Sequence, residues 1–220
     1  MFKKITSLLR AEKQMSYSDS SENHCLSESQ VKQAKTLNHQ ELRRVLDYVA
    51  TRPHAQRNRA MILMTYLAGM RVGEVANIRY CNVVDIDGSI RSEIILDSTQ
   101  TKGSESRVVF VSERLRQELD AYKRSRKWRH PDDKFFYTQK EPSRGFTPNT
   151  LAQHFHFIYK GAGLTGASSH SGRRTFITNL ASKGVGVRVL ASLAGHKNIS
   201  VTQRYIDVND DMKRRAVELA

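Results

Sequence analysis

The longest apolar stretch in the chain runs only from Ala60 to Met70. A helix needs about 20 apolar residues to cross a bilayer, so this segment has to be buried inside a folded domain. Met61, Ile62, Met64, Tyr66 and Leu67 read as a helix that stops near Gly69. Upstream of it, Asn38 followed by Glu41 supplies an N-cap with an acidic residue three places on. Leu42, Val45, Leu46 and Val49 then fall on one helical face. After Lys3 and Lys4 the chain start offers only Ile5, Leu8 and Leu9, too little for a secretory signal. A soluble, cytoplasmic protein is expected, and 220 residues suffice for one full domain with a short appendage.

The rest of the chain is mostly helical in pattern. A short helix runs from Val72 to near Ile78, and longer ones from Glu113 to Lys127 and from Pro148 to Lys160, the last capped by Thr147 with Pro148 at its first position. Ser171 to Ser182 is closed by Gly184, and Val187 to Ala194 by Gly195. Val201 to Val208 and Asp211 to Leu219 complete the series. Between them lie three strand signals: Val83 to Ile86, Ile90 to Leu96 and Val108 to Val111. Turns fall at Asp87-Gly88 and at Thr101-Lys102-Gly103-Ser104. The expected fold class is α+β, mainly helical, with helices around a small three-stranded antiparallel sheet.

Charge narrows the choice of partner. The chain holds 36 Lys+Arg against 22 Asp+Glu, a net +14, which asks for a polyanion. Residues 1–35 carry six basic and four acidic residues, only +2, so the surplus sits in residues 36–220. Six of the fourteen residues from Ser16 to Ser29 are serine. Such a stretch buries too little apolar surface to offset its ordering entropy, and residues 1–35 read as a flexible leader. Cys25 and Cys81 alone build neither a disulfide framework nor a thiolate zinc site. No helix pairs a lysine-rich face with a broad apolar one, so a membrane surface fits less well than nucleic acid.

Three stretches carry residues suited to phosphate chemistry. In Ala68-Gly69-Met70-Arg71-Val72-Gly73-Glu74, an arginine stands at a corner between two glycines. A guanidinium there matches two phosphate oxygens at once, though it could equally cap carbonyls and pair with Glu74 at i+3. In Ser168-Ser169-His170-Ser171-Gly172-Arg173-Arg174, His170 and Arg173 share a face of a helix's first turn, where the N-terminus itself favours an anion. In Leu193-Ala194-Gly195-His196-Lys197-Asn198, His196 is presented from a corner between helices, with Tyr205 following. Tyr205 could equally be a half-buried core tyrosine, and Lys102 the polar tip of a hairpin. His154 and His156, two apart, make a poor metal pair, and the basic run Tyr122 to His130 reads as a solvated helix end or a backbone contact.

Taken in order, Arg71, Lys102, His170, Arg173, His196 and Tyr205, in the stretches AGMRVGEVANIR, STQTKG, SSHSGRRTFITNLASKGV and LAGHKNISVTQRYI, resemble the catalytic domain of the tyrosine recombinases, the phage integrase family, over residues 36–210. The resemblance implies that Tyr205 attacks a DNA phosphate, leaving a 3′-phosphotyrosine and a free 5′-hydroxyl. It implies Arg71 and Arg173 on the non-bridging oxygens, His196 as a further hydrogen-bond donor and His170 in proton transfer. Lys102 is implied as the acid for the leaving oxygen, and Glu74 as support. No metal, cofactor or ATP is implied. The partner is double-stranded DNA, met as a homo-tetramer on paired sites, with the final helix docked on a neighbouring protomer.

Two departures stand out. Most relatives place a helical core-binding domain before the catalytic one, which is expected to be absent here because only residues 1–35 precede it, and Gly172 stands where many have leucine. The resemblance therefore implies a site-specific recombinase performing integration, excision or inversion. The alternatives are a type IB-like topoisomerase and a catalytically silent DNA-binding accessory protein on the same fold.

Overall fold

The computed structural model describes residues 33–101, 106–127, 130–138, 144–206 and 210–218. The apolar stretch lies in the hydrophobic core of residues 34–220. It is α2 (Ala55–Leu67), preceded by α1 (His39–Ala50), and Met61, Ile62, Leu63 and Met64 are all fully buried. Every residue of α2 from Ala60 to Tyr66 is buried, and α2 packs against α1, α5 (Glu113–Arg124) and α7 (Ser171–Ser182). The first helix begins as its sequence requires. Asn38 Oδ1 accepts from the Glu41 N–H at 2.8 Å, and Glu41 reaches back to the Asn38 N–H at 3.0 Å. α5 stops at Arg124, short of the expected Lys127. Trp128, in the basic run, lies outside the described residues, as do Cys25 and residues 1–32 of the expected leader.

The expected three-stranded sheet is two-stranded among the described residues. β1 (Glu93–Leu96) pairs antiparallel with β2 (Arg107–Phe110), with Ile94 opposite Val109 and Leu96 opposite Arg107. The first expected strand, Val83 to Ile86, loses Val83 to a helical turn, α4 (Tyr80–Val83), following α3 (Val72–Asn77). Asn82 causes this by accepting from the Arg79 N–H at 2.9 Å, which caps the turn. The tight Asp87-Gly88 turn then leaves one bridge, Val84 to Ile90, with Ile86 fully exposed. Alternation in the remaining strands is clean: Ile94, Leu96 and Val109 point inward, while Ile95 and Phe110 face out.

The C-terminal helices follow the sequence signals closely. α6 spans Pro148–Gly161 under its Thr147 cap, and α7 and α8 (Val187–Ala194) have the expected ends. α9 differs from the expected Val201 to Val208. Asn198 accepts from the Ser200 N–H at 2.9 Å, so the helix starts earlier and spans Ile199–Gln203. Tyr205 therefore stands in the turn beyond α9, its N–H bonded to Thr202 O at 2.9 Å. α10 (Asp210–Val217) ends the described chain with Val217 exposed.

Gly172 has a packing reason. A Cβ there would lie 2.2 Å from Thr65 Oγ1 and 3.3 Å from the Thr65 carbonyl carbon. The glycine thus lets α7 approach α2, where a leucine would force the helices apart. Gly172→Ala gains about 1 kcal/mol of helix propensity but meets an overpacking cost of about 1–3 kcal/mol. Net destabilisation is expected, as a lower urea midpoint at unchanged slope; equal or higher stability would show that the helices separate freely.

Candidate active site

Two corners and one buried arginine build the site. At the first corner, Gly69 adopts φ +62°, the left-handed region that favours glycine, and turns the chain out of α2. Arg71 then becomes the N-cap of α3, and Glu74 in its first turn folds back upon it. The Glu74 carboxylate accepts from the Arg71 backbone N–H at 2.8 Å and from Arg71 Nη1 at 2.8 Å. The other branch, Arg71 Nη2, donates to Gly195 O at 2.6 Å. Arg71 does cap a carbonyl, as its simplest reading held, but that carbonyl belongs to the opposite corner.

The second corner forms where α8 closes at Gly195, φ +61°, and hands the chain to His196. Arg173, from the first turn of α7 and 4% exposed, ties the two corners together. Its Nη1 donates to Gly69 O at 2.5 Å, and its Nη2 to Ala194 O at 2.5 Å and to His196 Nε2 at 2.8 Å. A guanidinium only donates, so His196 Nε2 accepts and the ring proton sits on Nδ1, 2.8 Å from Thr202 Oγ1. The Tyr205 ring stacks on His196 with centroids 5.9 Å apart, and the Arg174 guanidinium lies 5.6 Å from the same ring.

An open cleft of about 790 Å³ joins these groups. Arg71, His170, Arg173, His196 and Tyr205 all line it, with Thr101 and Ser106 on its wall. Thus the described candidates converge from four chain segments, with Glu74 buried beneath Arg71 at 1% exposure. His170 is the exposed N-cap residue of α7. Lys102 lies outside the described residues. Among the described residues no cluster of three or more His, Cys, Asp or Glu could hold a metal ion, and no helix is long and apolar enough to cross a membrane.

The electrostatics follow from burial among cations. Burial pulls Arg173 down to about 9, with Arg71 adding to the shift, and it stays charged at neutral pH. Burial, then Arg173, Arg71 and Arg107, pull His196 down to about 4 and leave it neutral. Burial alone would raise Glu74, but hydrogen bonding and charge from Arg107, followed by Arg71, more than offset it and keep the carboxyl ionised. His154 is a separate case. Its Nε2 meets Asn58 Oδ1 at 2.9 Å, and burial, then Arg57, pull it down to about 4.

Two histidines held neutral make the fold acid-sensitive. Their folded pKa values lie below the ordinary 6.5, so the unfolded chain takes up protons first as pH falls. Stability present above pH 6.5 should therefore drain away towards pH 4, by about 1–2 kcal/mol per histidine after allowance for solvent screening. Melting temperatures across this window should fall less steeply in His154→Gln and His196→Gln; an unchanged slope in both would refute the assignment.

Arg107 was not among the candidates, yet it is central to the site. Its Nε and Nη2 donate to the two Glu74 oxygens at 3.1 and 2.7 Å, and its Nη1 donates to Leu193 O at 2.7 Å. Strand alternation carried the signal. Val109 points inward, so Arg107, two residues before it, shares that inward face. A charge placed there must have an internal partner.

Helices surrounding a small sheet thus hold two glycine corners, drawn together by the buried Arg173 over a cleft lined by Arg71, His170, His196 and Tyr205. The chain belongs to the phage integrase family, whose model matches residues 35–212. It is 31% identical over 189 residues to tyrosine recombinase XerA of Thermococcus kodakarensis, covering 84% of this chain and 62% of the relative. It is also 31% identical over 160 residues to tyrosine recombinase XerC of Staphylococcus haemolyticus, covering 72% and 52%. The chain thus spans about half to three fifths of the length of these relatives. Among solved structures, the XerA recombinase crystal structure shares the fold with a TM-score of 0.66 at 24% identity, over 84% of this chain and 64% of that one. A lambda integrase dimer bound to a COC′ core site gives 0.59 at 17% identity, over 79% and 48%.

Proposed function

We propose that the chain is the catalytic part of a site-specific DNA recombinase that breaks and rejoins DNA through a 3′-phosphotyrosine at Tyr205. The observation that carries this reading is the convergence of Arg71, Arg173, His196 and Tyr205 on one open cleft, in a chain of this family. The Tyr205 oxygen attacks the phosphorus and the bond to the 5′-oxygen breaks. The phosphodiester energy is kept in the phosphotyrosine, so resealing needs no ATP. Arg71 and Arg173 hold the non-bridging oxygens as charge builds on them, the part that metal ions play in other phosphoryl-transfer sites. Both arginines lie at the cleft wall and already donate to protein, Arg71 to Glu74 and Gly195 O and Arg173 to Gly69 O, Ala194 O and His196, and a bound phosphate would draw some of those donors to itself.

Proton handling follows from the same geometry. The Tyr205 hydroxyl must give up its proton as it attacks, and His170 at the cleft edge is assigned to receive it. His196 accepts a bond from Arg173 in the free protein, so donating to phosphate requires a proton on Nε2, which the anion's arrival favours. Lys102 is assigned to protonating the leaving 5′-oxygen. The enzyme acts on double-stranded DNA in the cytoplasm, as a homo-tetramer on paired sites.

The test is a duplex nicked beside the scissile phosphate, built from inverted repeats flanking the gene. Wild type should give a covalent adduct that denaturing gels retain, and Tyr205→Phe should bind the duplex but give none. Equal adduct from both proteins defeats the reading. Relaxation of any supercoiled plasmid without strand exchange would mark a topoisomerase instead.

A further inference from the structure

We propose that Arg107 is a positioning residue for strand cleavage: it sets Arg71 by way of Glu74. This rests on the function proposed above and adds a residue to it. Arg107 lines the same cleft, and each of its three nitrogens donates to protein, Nε and Nη2 to Glu74 and Nη1 to Leu193 O. Its side chain is only 10% exposed.

What Arg107 controls is the freedom of Glu74. That carboxylate is 1% exposed and holds Arg71 twice, through the backbone N–H and through Nη1. Arg71 by itself could draw Glu74 to either side of the corner. Arg107 grips both carboxylate oxygens as a bidentate pair and so limits the positions Glu74 can take. The third bond, to Leu193 O, fastens the same guanidinium to the last turn of α8, next to the Gly195 carbonyl that receives Arg71 Nη2. Gly195 has room for no side chain here, since a Cβ would lie 2.6 Å from Arg107 Cδ. One residue at the start of β2 thus holds Glu74 directly and is fastened two residues before the Gly195 carbonyl that Arg71 also uses. An arginine in a phosphate site gains its effect from orientation, and a displacement near 1 Å costs about 100-fold in rate.

A lysine keeps the charge at this position but has one nitrogen where three are used. Arg107→Lys should therefore lower the single-turnover cleavage rate about 10–100-fold, with DNA affinity within about twofold of wild type. Because Arg107 acts through Arg71, the effect should shrink to about threefold or less in an Arg71→Lys background. Arg107→Gln, which offers an amide to Glu74, is read in the same cycle should Arg107→Lys not fold. All rates are taken below each variant's melting temperature. An equal factor in both backgrounds overturns the proposal, as does a variant that loses stability or DNA affinity but cleaves at the wild-type rate. A wild type that forms no adduct removes the recombinase reading and this one with it, whereas a cleaving wild type with unaffected Arg107 variants overturns this inference alone.

Discussion

Arg173→Lys should lower strand cleavage by at least about 100- to 1000-fold, the loss typical of removing one pre-aimed donor from a developing oxyanion. The side chain bridges Gly69 O, Ala194 O and His196 Nε2 at once. A lysine ammonium reaching from the same helical position is a single point and spans neither the two corners nor two phosphate oxygens. Some stability goes as well, about 1–3 kcal/mol for a buried carbonyl left without a donor. Cleavage and unfolding should separate on cooling, with the fold recovered and the rate still low. Near wild-type cleavage by a folded Arg173→Lys protein would mean that the guanidinium serves only to join the corners.

The second large effect concerns stability. Glu74→Ala leaves Arg71 and the almost fully buried Arg107 facing one another without a counter-charge. Removing one partner of a buried ion pair costs about 3–5 kcal/mol, and here one carboxylate serves two guanidiniums. Urea unfolding should show a loss in that range. Glu74→Gln should fall between, because the amide oxygen still accepts one arginine. A loss below about 1 kcal/mol would show that water enters the site and satisfies both cations.

Helix ends were the most legible part of the fold, because caps and glycine stops act locally. Asn38 with Glu41, Thr147 with Pro148, Gly184 and Gly195 each mark an end where the structure has one. The third strand failed for a reason that periodicity does not see: Asn82 caps a helical turn that takes in Val83, and pairing with the segment around Ile90 is limited to the Val84–Ile90 bridge and the bonds beside it. α9 slipped likewise, since Asn198 is a better start signal than the apolar pattern beginning at Val201. The cleft residues were found through their small-residue contexts, in which Gly69 and Gly195 turn the chain sharply enough to bring backbones together. Arg107 lacks such a context. Its importance arises only when β2 is folded beside α3 and α8, a long-range fact that no local spacing encodes.

Tyr205 is the residue expected to carry the DNA. After trapping on the nicked duplex, digestion with trypsin and nuclease should leave a nucleotide mass on the peptide that begins after Arg204 and ends at Lys213, with fragment ions locating it on Tyr205. The same mass on any other peptide, or an adduct that survives Tyr205→Phe, would contradict the mechanism.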